Sequence, residues 1–184
     1  MVKIVHYCWF GRKPLPKMAK KCIKSWKKYL PDFEIKEWNE SNFDVNCTEF
    51  SKEASRHKKW AFVADVARIY ALKEMGGLYL DTDQEILKPV DFLFENEFFM
   101  GREDENFVAA SVIGVASKNN SHINALFDVY KNTKFNPNDM NSVTSPRIIT
   151  EYLETKGLIT KDITQDLEER NKNIFQRLFL TSVV

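Results

Sequence analysis

Three features of this 184-residue chain predict an α/β fold with a mainly parallel central sheet flanked by helices. The chain opens as apolar strand, lysine-rich helical stretch and second strand, joined by short connections. Two parallel strands need such a crossover between them. Next, Trp60–Met75 is apolar on nearly every side until its last turn, as a buried helix must be. Finally, Gly76-Gly77 leads into the short apolar run Leu78-Tyr79-Leu80 and then Asp81-Thr82-Asp83, which puts carboxylates where open α/β sheets bind ligands.

The elements follow in order. Val2 to Trp9 reads as a buried first strand, ended by the turn Phe10-Gly11-Arg12-Lys13-Pro14. A helix from about Pro16 to Tyr29 sets Leu15, Met18, Cys22, Trp26 and Tyr29 on one face and lysines on the other, and Pro31-Asp32 stops it. Phe33 to Trp38 is a second strand, Asn39 to Asn46 a loop, and Glu49–Arg56 a short helix. Beyond the central region, Phe98–Gly101 and Phe107–Ala116 read as strands. Asn119-Asn120-Ser121 offers the N-cap of a helix through about Tyr130. Ser145-Pro146 is an N-cap followed by proline at the first helical position, in a helix closed by Gly157. Asp162 with Gln165 resembles a capping box for a last helix toward Phe179. No repeat or linker-like stretch interrupts the chain, so residues 1–184 read as one domain.

Composition narrows the function. Hydrophobic residues make up 43% and charged residues 29%, and only six Gly and six Pro occur, which excludes a low-complexity chain. No run approaches the roughly 18–20 apolar residues of a membrane span, and the start lacks a signal peptide's pattern, so a cytoplasmic protein is expected. Cys8, Cys22 and Cys47 fit neither a disulfide framework nor a zinc site. The net charge of +1 conceals +7 over residues 1–60 and −6 over the remainder. Lys13, Lys17, Lys20, Lys21, Lys24, Lys27 and Lys28 supply much of the excess. They read as a solvated helix face or as a peripheral dock for an anionic membrane, here the inner membrane surface, or an acidic glycan. No groove-reading or RNA-binding motif accompanies them, so no nucleic-acid partner is expected.

The chemistry is concentrated between residues 60 and 83. Asp65 and Arg68 lie three apart on one helix face inside an apolar surround, and buried charges there need partners. They form either an internal bridge or the polar wall of a ligand pocket. Asp81 and Asp83, if extended, project to one side and suit a hard divalent cation completed by substrate phosphates. A D-x-D alone arises by chance in roughly four chains in ten of this length. Its place behind a double glycine and a charged buried helix is what gives it weight.

The stretch Ala61-Phe62-Val63-Ala64-Asp65-Val66-Ala67-Arg68-Ile69-Tyr70-Ala71-Leu72, followed by Gly76-Gly77-Leu78-Tyr79-Leu80-Asp81-Thr82-Asp83, resembles the DXD sugar-binding region of glycosyltransferase family 32. That family includes capsular polysaccharide enzymes and outer-chain mannosyltransferases. The stretch is also similar to the catalytic domain of the large clostridial glucosylating toxins. The opening Lys3-Ile4-Val5-His6-Tyr7-Cys8-Trp9-Phe10-Gly11 is similar to the same family's first strand. The resemblance implies a GT-A fold and a metal-dependent retaining transferase that moves a hexose from a nucleotide-sugar donor to a glycan or polysaccharide acceptor, using Mn²⁺ or Mg²⁺. It makes Asp81, Asp83 and Arg68 catalytic, with Asp83 the direct metal ligand and Asp81 beside it. It assigns Trp9, Asp65, Arg68, Tyr79 and Asp81 to the donor, with Trp9 stacked on the base. By composition alone Trp9 and Tyr79 read equally well as core.

Family members run further and carry a His-, Ser- and Trp-bearing segment that closes over the donor phosphates. Residues 174–184 do not supply it, so a truncated or non-catalytic donor-binding module is the alternative expectation. A phosphohydrolase of the haloacid dehalogenase type fits less well, since no Asp-Asp pair occurs and the D-x-D does not follow the first strand. UDP-glucose, UDP-galactose and GDP-mannose all remain open as donors, with a UDP-sugar favoured by analogy.

Overall fold

The computed structural model describes residues 1–104 and 106–157, together with the backbone strands 165–166, 172–174 and 180–182. Strand β1 (Ile4–Cys8) is followed by α1 (Lys17–Tyr29) and β2 (Glu34–Trp38). Helices α2 (Glu49–Arg56) and α3 (Trp60–Met75) lead to β3 (Gly77–Leu80) and the short β4 (Gln84–Ile86). A 3₁₀ turn, Asp91–Glu95, precedes β5 (Phe98–Arg102), β6 (Val108–Val115) and α4 (Ser121–Asn132). After a second 3₁₀ turn at Met140–Val143 come α5 (Ser145–Glu154), β7 (Gln165–Asp166), β8 (Lys172–Ile174) and β9 (Leu180–Ser182).

The seven-stranded sheet has the order β2-β1-β3-β6-β5-β8-β7, and β4 pairs with β9 apart from it. β1 lies parallel to both β2 and β3, with Val5 opposite Leu78 and Cys8 opposite Trp38. Strand β6 is antiparallel to β3 and β5, and β7 to β8, so the other five strands share one direction. Consecutive side chains of a strand face opposite ways. Val5, Tyr7, Leu78, Leu80, Phe99 and Val112 accordingly form one apolar layer with Cys22 and Trp26 of α1. Cys8, Tyr79, Phe98, Met100 and Ile113 form the other, with the apolar residues of α2 to α5. Helix α3 is packed between the sheet and helices α2 and α4, which buries it on nearly all sides and explains why its sequence shows so little amphipathic bias.

The turn from α3 into β3 demands glycine. Gly76 and Gly77 have φ of 69° and 99°, and a Cβ on Gly77 would sit 2.6 Å from the Ile4 carbonyl oxygen. His6 secures the same corner. Trp38 Nε1 donates to its Nδ1 at 3.1 Å, so Nε2 carries the proton and donates to the Gly76 carbonyl at 2.8 Å.

Some expectations need correcting. Met18 is exposed, and Ala19, Cys22 and Trp26 are the buried residues of α1, because Met18 lies at the margin of that stripe. The N-cap of α5 is Thr144, without a side-chain cap bond, and Ser145 is already helical. The described parts of the stretch expected as a last helix, Gln165–Asp166 and Lys172–Ile174, are strands that extend the sheet beside β5, and the remainder, including Asp162, lies outside the described residues.

Candidate active site

The carboxyl ends of β1, β2 and β3 meet at one edge, and β1 is where the strand order reverses: the chain moves outward to β2 and then returns to β3. Helix α3 packs against β1 and β3 and begins at that edge, so its second and third turns carry Asp65 and Arg68 under the ends of the strands. A crevice at such a switch point is the usual ligand site of an open α/β sheet.

Arg68 is the hub. Its Nη2 lies 2.9 Å from Asp65 Oδ1 and 3.4 Å from Asp81 Oδ1, and its Nη1 donates to the Ala110 carbonyl at 2.6 Å. Tyr79 places its ring 4.8 Å from the guanidinium carbon and donates its hydroxyl to Asp81 Oδ1 at 2.6 Å. Asp65 and Arg68 are 7% and 6% exposed, whereas the Asp81 side chain keeps 32% of its surface open. The internal bridge expected of Asp65 and Arg68 is therefore present and is shared with a carboxylate at the solvent edge. Arg68 Nε has no hydrogen-bond partner among the described residues.

Burial sets the charge states. It pushes the Asp65 carboxyl up to about 6, with Arg68 pulling the other way. It also opposes the charge of Arg68, but Asp81, Tyr79 and Asp65 outweigh it and hold the guanidinium cationic. The Tyr79 phenol is driven upward, chiefly by burial, and stays a donor to Asp81. Cys8, enclosed beside the cluster with its thiol 3.9 Å from the Ala64 carbonyl, is pushed up to about 12 and stays protonated.

The D-x-D is a turn and not the extended segment expected. Asp81 N–H bonds to the Ser111 carbonyl at 2.9 Å, and Gln84 N–H closes on the Asp81 carbonyl at 3.0 Å. Strand alternation thus stops at Leu80, and the argument that it sends Asp81 and Asp83 to one side does not apply. Asp83 is exposed, and its Oδ1 accepts from Gln84 Nε2 at 3.2 Å. Helix α1 braces the outgoing strand: Trp26 Nε1 donates to the Gln84 carbonyl, and Ser25 Oγ accepts from Ile86 N–H. Among the described residues no group of three or more His, Cys, Asp or Glu is arranged to hold a metal. The donor set is two carboxylates on one turn, which suits Mg²⁺ or Mn²⁺ completed by substrate oxygens and water better than a closed site.

Trp9 sits just beyond β1. Its Nε1 donates to the Lys13 carbonyl at 2.6 Å, and it lines a hollow of about 410 Å³ with Arg12, Glu37 and Asn39. An adjoining hollow of about 540 Å³ lies between Gly11, Phe43 and Trp60, and Arg12 and Glu40 border both. The structure thus brings Asp65, Arg68, Tyr79 and Asp81 into direct contact and sets Asp83 two residues along the turn. Trp9 stands apart at the same edge, with no bond or ring contact to those four among the described residues.

Sequence reading missed three contributors. Cys8 and the Ala110 carbonyl carry no motif. Ser145, expected as a helix cap, instead opposes the effect of burial on the Asp65 carboxyl and sets its hydroxyl 2.9 Å from that of Tyr130.

Comparison with known proteins agrees with this geometry. Residues 16–100 match the family model described as the glycosyltransferase sugar-binding region containing a DXD motif. An uncharacterized glycosyltransferase of Acanthamoeba polyphaga mimivirus is 30% identical over 179 residues, spanning 88% of this chain and 68% of that protein. Among solved structures, the PaToxG glycosyltransferase superposes with a TM-score of 0.65 at 19% identity, covering 83% of this chain and 68% of that one. That superposition shows a shared fold and bears out the GT-A-like α/β expectation.

Proposed function

This chain belongs to the glycosyltransferases that carry the DXD sugar-binding region, and from that premise we propose that it transfers a hexose from a nucleotide-sugar donor, with retention, to a glycan acceptor. The observation that carries the proposal is Arg68 held between Asp65 and Asp81 at the carboxyl edge of the sheet. A fixed guanidinium aimed where diphosphate charge develops lowers the barrier to its departure, because it needs no reorganisation during the reaction. Asp65 accepts hydrogen bonds from sugar hydroxyls. Tyr79 fixes the rotamer of Asp81, which lies at the sugar or ribose, and the exposed Trp9 hollow receives the base.

Asp83 and Asp81 would hold Mn²⁺ or Mg²⁺, whose charge offsets that of the leaving diphosphate. A UDP-sugar is the favoured donor, and a capsular or other surface polysaccharide intermediate, as in family 32, is the acceptor class. We also read the protein as cytoplasmic, with the lysines of α1 resting on the inner face of an anionic membrane. No helix among the described residues is long and apolar enough to cross one.

The test is titration calorimetry of UDP-glucose, UDP-galactose and GDP-mannose, with and without Mn²⁺, into the protein and into Asp83→Ala. Asp83 is exposed, so its replacement leaves the core intact. Binding that needs Mn²⁺ and disappears in the variant supports the reading. A folded protein that binds none of the three overturns it.

A further inference from the structure

Strand β6 leaves the regular ladder where it meets the cluster. On its β5 side the consecutive residues Met100 and Gly101 face Ile113 and Ala109, so Ala110, Ser111 and Val112 have no counterpart there. Extra residues on one strand bulge it and re-aim its groups. On its β3 side the ladder holds, with Leu80 opposite Val112 and the Asp81 N–H donating to the Ser111 carbonyl at 2.9 Å. In a regular strand the Ala110 carbonyl would point to a neighbouring strand. Here it accepts from Arg68 Nη1 of α3 at 2.6 Å. Adjacent carbonyls of one bulge thus hold both members of the Arg68–Asp81 pair, whose side chains lie 3.4 Å apart. Helix α5 ties the bulge down: the buried Val108 N–H donates to the buried Thr150 Oγ1 at 3.0 Å. Gly101 gives it room, since the Ala109 and Val112 Cβ atoms lie 3.4 and 3.7 Å from where a Cβ of Gly101 would stand.

Resting on the donor-binding reading above, we infer that the β6 bulge sets the Arg68–Asp81 spacing that receives the diphosphate, and that Thr150 is a positioning residue that holds the bulge in place. A carbonyl has no rotamers of its own and moves only with its strand, whereas the Arg68 side chain follows the acceptor that Nη1 meets. The place of the Ala110 carbonyl therefore decides where the guanidinium stands relative to Asp81. Removing the Thr150 hydroxyl leaves a buried N–H without its acceptor, a cost that favours displacing the strand that carries it. Ala110 lies two residues along that strand and shifts with it. No bond joins Thr150 to Asp65, Arg68, Tyr79 or Asp81 among the described residues, so it acts only through β6.

The test compares Thr150→Val, Thr150→Ser and Gly101→Val in the full chain, with the three nucleotide-sugars and Mn²⁺ as probes, and records melting temperatures alongside. Thr150→Val keeps the shape of the side chain and loses its acceptor. Loss of one buried hydrogen bond lowers the fraction of molecules with the bulge in place, and apparent donor affinity falls with that fraction, by about tenfold at most. Thr150→Ser keeps the hydroxyl and recovers most of the affinity. Gly101→Val pushes the same bulge from the β5 side and weakens binding in the same sense. Asn120→Ala is the control: it removes the side chain that caps α4, beyond the other end of β6, where Asn119 N–H bonds the Lys73 carbonyl near the end of α3. It lowers the melting temperature without changing affinity. The inference is overturned if folded Thr150→Val and Gly101→Val bind as the parent does, or if Asn120→Ala weakens binding equally. Failure of the parent to bind any donor overturns the functional reading, and this inference with it.

Discussion

Arg68 and Asp81 come from different elements, one from a buried helix and one from the end of a buried strand, and their side chains meet at 3.4 Å where the sheet opens to solvent. The same guanidinium spans Asp65 and the Ala110 carbonyl. Lysine carries equal charge on a single nitrogen and cannot reach all three partners at once. Arg68→Lys should therefore fold, melt several degrees lower, and bind donor at least tenfold more weakly. Arg68→Ala leaves Asp65 buried without its cation, which costs about 3–5 kcal/mol. That variant should be largely unfolded or insoluble. Thermal denaturation beside donor titration checks both, and wild-type affinity in Arg68→Lys would remove the hub role.

Gly77 makes a sharper structural prediction. It combines φ of 99° with a Cβ position 2.6 Å from the Ile4 carbonyl, an atom of the parallel strand that cannot move aside. Gly77→Ala should cost about 2–4 kcal/mol, from strain and displacement of β1 against β3. Denaturant unfolding measures it directly. A neutral substitution would mean that the corner relaxes freely and does not aim Tyr79 and Asp81.

These positions mark what a sequence can and cannot reveal. Periodicity located α3 and β3 because burying a charged helix on all sides leaves an unmistakable pattern, and the double glycine marked the corner where only glycine fits. The site was legible as far as chain-local logic reaches: Asp65 with Arg68, and Asp81 with Asp83. What stayed hidden depends on partners distant in sequence. Arg68 bonds a backbone carbonyl 42 residues away, which no side-chain pattern encodes. Ser145 sits where a serine before proline normally caps a helix, so its local signal pointed to the wrong role. The D-x-D turn was misread because alternation holds only while the strand continues, and the Gln84 N–H to Asp81 carbonyl bond ends it.

His6 predicts a pH dependence of stability. Burial lowers its pKa from 6.5 to about 4, consistent with a neutral ring wedged between Trp38 Nε1 and the Gly76 carbonyl. The unfolded chain then binds more protons than the folded one between those values. The contribution of His6 is fully present above pH 6.5 and is lost as pH falls toward 4. Asp65 works in the opposite sense, because its raised value favours folding at low pH and loses that advantage as pH rises toward about 6. The wild-type curve is therefore flattened, and a difference isolates His6. The stability of wild type relative to His6→Gln should fall by about 2 kcal/mol between pH 7.5 and pH 5. Urea unfolding at the two values checks this, and a difference that does not change with pH would mean that His6 titrates normally.

The lysine face of α1 supports the last prediction. The chain carries no Asp or Glu before Asp32, and Lys17, Lys20, Lys24, Lys27 and Lys28 all point to solvent, with Lys21 paired to Glu85 at 2.7 Å. Two exposed large apolar side chains lie near that charge, Met18 on α1 itself and Leu87 directly after the strand bonded to Ser25. Each lysine near an anionic leaflet contributes about 1 kcal/mol, screened within a Debye length of about 10 Å at 0.1 M salt. The protein should co-sediment with phosphatidylserine-containing vesicles at low salt, release at high salt, and ignore phosphatidylcholine alone. Lys20→Glu, Lys24→Glu and Lys27→Glu together should abolish the association while leaving donor affinity intact, because none of the three bonds to Asp65, Arg68, Tyr79, Asp81 or Asp83 among the described residues. Absence of binding at low salt would reduce the lysines to a solvated face, and equal binding to neutral vesicles would assign the contact to the apolar side chains instead.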